Sequence, residues 1–109
     1  MVIVLMADLD PILKEFHATL AAMYGERLGR VVLFGPRARG DAKPDVDYDV
    51  AVFLNDYSDR WAEADKIAET TANILLKTGA VIHAMPYRAV QYEERSPLMH
   101  EIRREGLAL

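Results

Sequence analysis

Two apolar runs separated by a glycine and a polar loop, Leu33 to Leu54 (LFGPRARGDAKPDVDYDVAVFL), constrain this chain more than any other feature. The runs Arg30 to Phe34 and Asp47 to Leu54 are rich in β-branched and aromatic residues and read as strands. Residues two apart in a strand share a face, so Asp47 and Asp49 project together, ~6.5 Å apart along the chain. Val46, Tyr48, Val50 and Val52 take the other face. Aspartate is depleted in strands, and one explanation for the pair is the solvated face of an edge strand. Ala51 and Phe53 continue that face, however, which makes a wholly solvated face less natural. The other explanation is chemical. Two parallel carboxylates on a rigid strand, beside a glycine turn that can approach a phosphate, make a hard-cation site for a nucleoside triphosphate.

The residues around the pair carry double readings. Gly35 permits a tight turn where backbone meets phosphate, or a plain exit from a strand. Arg37 and Arg39 lie just past it, and a guanidinium suits bidentate phosphate contacts, though both also read as solvated loop residues. Gly40 and Asp41 shape the loop. Asp45 joins the side of Asp47 if the strand starts early, although Pro44 suggests loop. His83, in an apolar strand, reads first as a hydrogen-bonded core residue; its functional alternative is a neutral imidazole acting as general base.

The chain as a whole is expected to be one domain, residues 1–109, of mixed α/β (α+β) class, with a small mixed sheet and helices on one face. Leu9, Ile12, Leu13, Phe16, Leu20 and Met23 recur at helical spacing, with Asp10 as N-cap and Pro11 at the first helical position. A second helix, capped by Ser58, is expected to bury Trp61, Ala64, Ile67, Ala68, Thr71, Ile74 and Leu75 and to stop at Gly79. Strand three is expected at Ala80 to Met85, parallel to strand two. A last helix from Ser96-Pro97 to Gly106 buries Leu98 and Ile102.

The formal net charge of −4 argues against a nucleic-acid backbone as direct partner. The absence of cysteine excludes disulfides and thiolate chemistry. The N-terminal MVIVLM is too short for a bilayer span and lacks the pattern of a signal peptide. A cytoplasmic protein without a membrane role is expected, and self-association to a homo-oligomer stays open.

The segment resembles the signature of the nucleotidyltransferase superfamily that includes DNA polymerase β, in its smallest form, the minimal nucleotidyltransferases. That signature is Gly-Ser, ten residues, then Asp-x-Asp and an apolar strand. Here Gly35 and Pro36 are followed by Arg37 to Val46 and then by Asp47, Tyr48 and Asp49. Phe34, Arg37, Ala38, Arg39, Gly40 and Asp41 match the flanking run, and Ser96 to Leu109 resembles the closing helix. The resemblance implies a fold like the polymerase β palm, with Mg²⁺ held by Asp47 and Asp49 and the nucleotide by Gly35, Pro36, Arg37 and Arg39. It implies transfer of AMP from Mg-ATP to a hydroxyl, as antitoxin to a small helical HEPN-type partner protein. Three departures qualify it. Pro36 stands in place of the motif serine, Val46 in place of a second serine, and Ala80 to Tyr87 offers no third carboxylate. That strand holds only His83 as an ionisable candidate, so His83 joins Asp47 and Asp49 as a candidate catalytic residue. The alternative is a catalytically impaired nucleotide- or partner-binding protein of the same fold.

Overall fold

The computed structural model describes residues 10–40 and 47–109. The N-terminal apolar run and the loop residues Asp41, Asp45 and Val46 lie outside them. Helix α1 spans Pro11–Tyr24, started by the Asp10 side chain, which accepts from the Ile12 and Leu13 amides at 2.9 and 3.3 Å. Proline at the first position loses nothing, because that N–H has no partner within a helix. A short 3-10 turn, Gly25–Arg27, leads into strand β1, Leu28–Phe34.

Beyond Gly35 the arginine segment is a single helical turn, α2 (Pro36–Arg39), rather than an open loop. Strand β2 is Tyr48–Leu54, helix α3 is Arg60–Thr78 and strand β3 is Ile82–Arg88. A second 3-10 turn, Ala89–Glu93, precedes helix α4 (Pro97–Glu105) and the two-residue strand β4, Leu107–Ala108. The strands lie in the order β3-β2-β1-β4. β1 runs antiparallel to β2 and β4, and β2 runs parallel to β3, a pairing that needs the crossover that α3 provides. Pro86 sits within β3, which is at the sheet's edge, where a missing N–H is tolerated. Its carbonyl accepts from Arg60 Nε at 3.2 Å.

Alternation along β2 separates two cores. Tyr48, Val50, Val52 and Leu54 join Val31, Leu33 and Ile82 beneath α1 and α3, where Leu13, Phe16, Leu20, Ile67 and Ile74 fill the space. On the opposite face Val32, Ala51 and Phe53 pack against Met99 and Ile102 of α4, with Tyr87 and Tyr92 beside them. The two long helices thus share one face, and α4 covers part of the other. Burying Met99 and Ile102 stabilises that docking by about 1.5–3 kcal/mol for each side chain. Asp49 continues the α4 face beyond this apolar cluster and stays half-buried.

Three details of the sequence reading need correction. Asp59, not Ser58, caps α3, accepting from the Trp61 and Ala62 amides at 3.0 and 3.3 Å. The buried stripe of α3 is Glu63, Ile67, Thr70 and Ile74, while Trp61 is 68% exposed and Leu75 lies at the surface. Glu63 can turn inward because Arg27 Nη2 meets its Oε1 at 3.2 Å, and that rotates the larger apolar residues outward. In α4, Met99 is buried with Ile102 while Leu98 is only partly covered.

Candidate active site

Asp47, Asp49, His83 and Gly35 meet where β1 ends and β2 and β3 begin. Antiparallel register sets Asp49 opposite Phe34, and parallel register sets it beside His83. Asp47 immediately precedes β2, whose first amide, that of Tyr48, donates to the Val81 carbonyl at 3.0 Å. Asp47 and Asp49 therefore share a face, as the spacing required.

Gly35 closes this corner. Its φ is +75° with ψ at −161°, a conformation that other residues avoid. A β-carbon there would lie 2.5 Å from Asp49 Oδ2. The glycine turn and the second carboxylate are thus in direct contact. The Gly35 carbonyl accepts from the Ala38 and Arg39 amides, both at 3.1 Å. Pro36 opens this helical turn at a position where its fixed φ fits and its missing N–H breaks no backbone bond.

The two arginines of the turn have partners within the fold. The Arg37 guanidinium lies 4.0 Å over the Tyr48 ring, and the Tyr48 hydroxyl donates to Asp10 Oδ2 at 2.7 Å. Burial first, and then that bond to Asp10, pushes the Tyr48 phenol up to about 12. Arg39 reaches α4, where Nη1 meets Glu105 Oε2 at 3.0 Å and Glu101 Oε1 at 3.5 Å. Arg39 holds the Glu105 carboxyl below its ordinary range, against a smaller opposing effect of desolvation. Sequence reasoning did not find Glu105 or Asp10 as supports of the turn. The signal for Asp10 was Tyr48, an aromatic hydroxyl facing the α1 core from between the two aspartates.

His83 is not a core residue. Its side chain is 61% exposed, and Nε2 lies 2.7 Å from Asp47 Oδ2, itself on a 45% exposed side chain. The register that pairs His83 with Asp49 puts the imidazole on the carboxylate face, away from α1 and α3. Among the described residues no three His, Cys, Asp or Glu side chains are arranged to hold a metal ion by themselves. Two carboxylates still suit magnesium, which binds through one or two of them and takes its other oxygens from phosphates and water.

The family description "Nucleotidyltransferase domain" matches residues 13–104, which includes every element from α1 through most of α4. Two proteins of Methanocaldococcus jannaschii, MJ0604 and MJ0141, each provisionally named a protein adenylyltransferase, are similar in sequence. MJ0604 is 33% identical over 73 residues, 67% of either chain. MJ0141 is 31% identical over 81 residues, 74% of this chain and 81% of its own. Among solved structures, a toxin-antitoxin with AMP-PNP superposes with a TM-score of 0.58 at 18% identity, over 85% of this chain and 68% of that one. A mutant of the toxin-antitoxin MntA-HpeT gives 0.59 at 18%, over 88% and 70%. At such identity these structures share the fold.

Proposed function

The chain belongs to the nucleotidyltransferase family, and on that premise we propose that it transfers AMP from Mg-ATP to a hydroxyl on a partner protein. The reaction forms a bond from the hydroxyl oxygen to the α-phosphorus and breaks the bond to the β-phosphate, releasing pyrophosphate. The observation that carries this reading is the contact of the Gly35 turn with Asp49, next to Asp47 on the same open face.

Asp47 and Asp49 would hold the magnesium ion. When bound, that ion would supply positive charge to offset the negative charge that develops on the phosphates during attack. Gly35 lets the turn come close to the nucleotide, and His83 is the group placed to take the proton of the attacking hydroxyl. The provisional names of the two sequence relatives support a protein acceptor. Solved toxin-antitoxin structures of the same fold support the role of antitoxin. The toxin we propose is a small helical HEPN-type protein. Incubating the chain with labelled ATP, magnesium and such a partner tests the reading directly, with label on the partner expected. An unlabelled partner would contradict it.

Two observations favour a second reading. Pro36 replaces the motif serine and β3 (IHAMPYR) carries no carboxylate. The chain would then bind nucleotide or partner without turnover. The same incubation separates the two: a complex without label is the outcome for the second.

No helix among the described residues is long and apolar enough to cross a membrane. A cytoplasmic location is part of the proposal, because transfer from ATP needs a compartment that holds ATP.

A further inference from the structure

We propose that His83 is a positioning residue for Asp47, holding one carboxylate oxygen so that the other remains available to the cation. This rests on the nucleotidyltransferase reading above. A carboxylate can only accept, so the 2.7 Å contact between Nε2 and Asp47 Oδ2 puts the proton on Nε2. The pair is open to solvent on both sides. An exposed side-chain contact of this kind adds little to the stability of a fold, so fold stability does not account for a histidine at this place.

The placement does serve the site. Parallel register brings the imidazole beside Asp49 while its outer nitrogen reaches back to Asp47. Asp47 stands just ahead of β2, where the ladder does not yet fix it, and its side chain is nearly half exposed. A carboxylate that must meet a cation there needs a second group to set its orientation. Groups that hydrogen-bond metal-ligating carboxylates act in this way, and losing one typically costs ~10–100-fold in metal affinity. Imidazole is a poor magnesium ligand, which suits an indirect role. The same bond makes Nε2 the nitrogen that donates to Asp47 and leaves Nδ1 as the nitrogen that Asp47 does not engage.

The test is Mn²⁺ binding in the presence of AMP-PNP, followed by electron paramagnetic resonance, for the parent, His83→Ala, His83→Gln and His83→Asn. His83→Ala should bind Mn²⁺ ~10–100-fold more weakly while keeping the parent's thermal midpoint. His83→Gln should recover the affinity without recovering turnover, because its amide reaches Asp47 as Nε2 does but takes no proton. His83→Asn, one bond shorter, should not recover it. If the parent binds Mn²⁺ with AMP-PNP and His83→Ala binds equally well, the positioning role is wrong and the reading of the site stands. Failure of His83→Gln to recover affinity would also overturn it. If the parent binds no Mn²⁺ with AMP-PNP, the reading of the site falls and this inference with it.

Discussion

Gly35 and Asp49 exclude any side chain between them: a β-carbon on residue 35 would lie 2.5 Å from Asp49 Oδ2, and the Gly35 φ is +75°. The end of β1 and the start of β2 are therefore fitted to each other at the carboxylate itself. A methyl group at residue 35 has to push Asp49 aside or distort the turn.

Gly35→Ala should accordingly destabilise the fold by about 1–3 kcal/mol, the usual cost of a side chain in such a backbone region, and should also abolish nucleotide binding. Gly40→Ala is the control. Gly40 has a φ of +80° but open space around it, so its strain of about 1–2 kcal/mol should leave nucleotide binding intact. Thermal melts and calorimetry with AMP-PNP check both. Undiminished binding by Gly35→Ala would mean that the turn and the nucleotide do not meet.

Pro36→Ser restores a hydroxyl and an N–H beside the turn. One well-placed donor to a developing negative charge is worth ~10²–10³ in rate. Turnover or nucleotide affinity should rise, as read by pyrophosphate release and calorimetry. No gain in either would show that position 36 does not face the phosphates.

Asp10 ties the start of α1 to Tyr48, between the two candidate ligands. Asp10→Ala removes an N-cap, worth ~0.5–2 kcal/mol, and leaves a buried Tyr48 hydroxyl unpaired, at ~1–3 kcal/mol. Its urea midpoint should fall further than that of Tyr48→Phe, which removes the hydroxyl and its bond together. Equal losses would mean that the hydroxyl finds another partner.

The Arg39–Glu105 pair predicts a pH dependence. Glu105 has its folded-state value lowered from the ordinary 4.5, with Arg39 the largest cause. A lowered carboxylate stabilises the fold above its unfolded value and loses that contribution as pH falls through the folded one. The stability advantage of the parent over Glu105→Gln should therefore be present at neutral pH and shrink in acid, through and below 4.5. Urea denaturation of both across that range checks it. An advantage that grows in acid would contradict the assignment.

Much of the geometry of the candidate site was legible because it is local. Alternation from Asp47 to Leu54 determined the face of both carboxylates, and a glycine between two strands marked the turn. What escaped the sequence depends on distant partners. Arg39 and Glu105 are 66 residues apart, and no local pattern joins them. The rotation of α3 depends on Arg27 accepting Glu63 as an inward neighbour, so periodicity alone turned Trp61 inward. Ser58 and Asp59 are both good caps in sequence, and chain geometry chose the second. Strand β4 is two residues long and takes its form from pairing with Val32 and Leu33. His83 read as core because its neighbours are apolar; edge position in β3 and the exposed Asp47 explain why it is not.

The central claim is that Asp47 and Asp49 together hold the metal–nucleotide. Calorimetric titration of Mg-AMP-PNP into the parent, Asp47→Asn and Asp49→Asn tests it most directly, because each change keeps the side-chain shape and removes the charge. The account predicts clear binding by the parent and loss of binding, by tenfold or more, corresponding to about 1.4 kcal/mol, in each variant. Binding by both variants as tight as the parent's would contradict it.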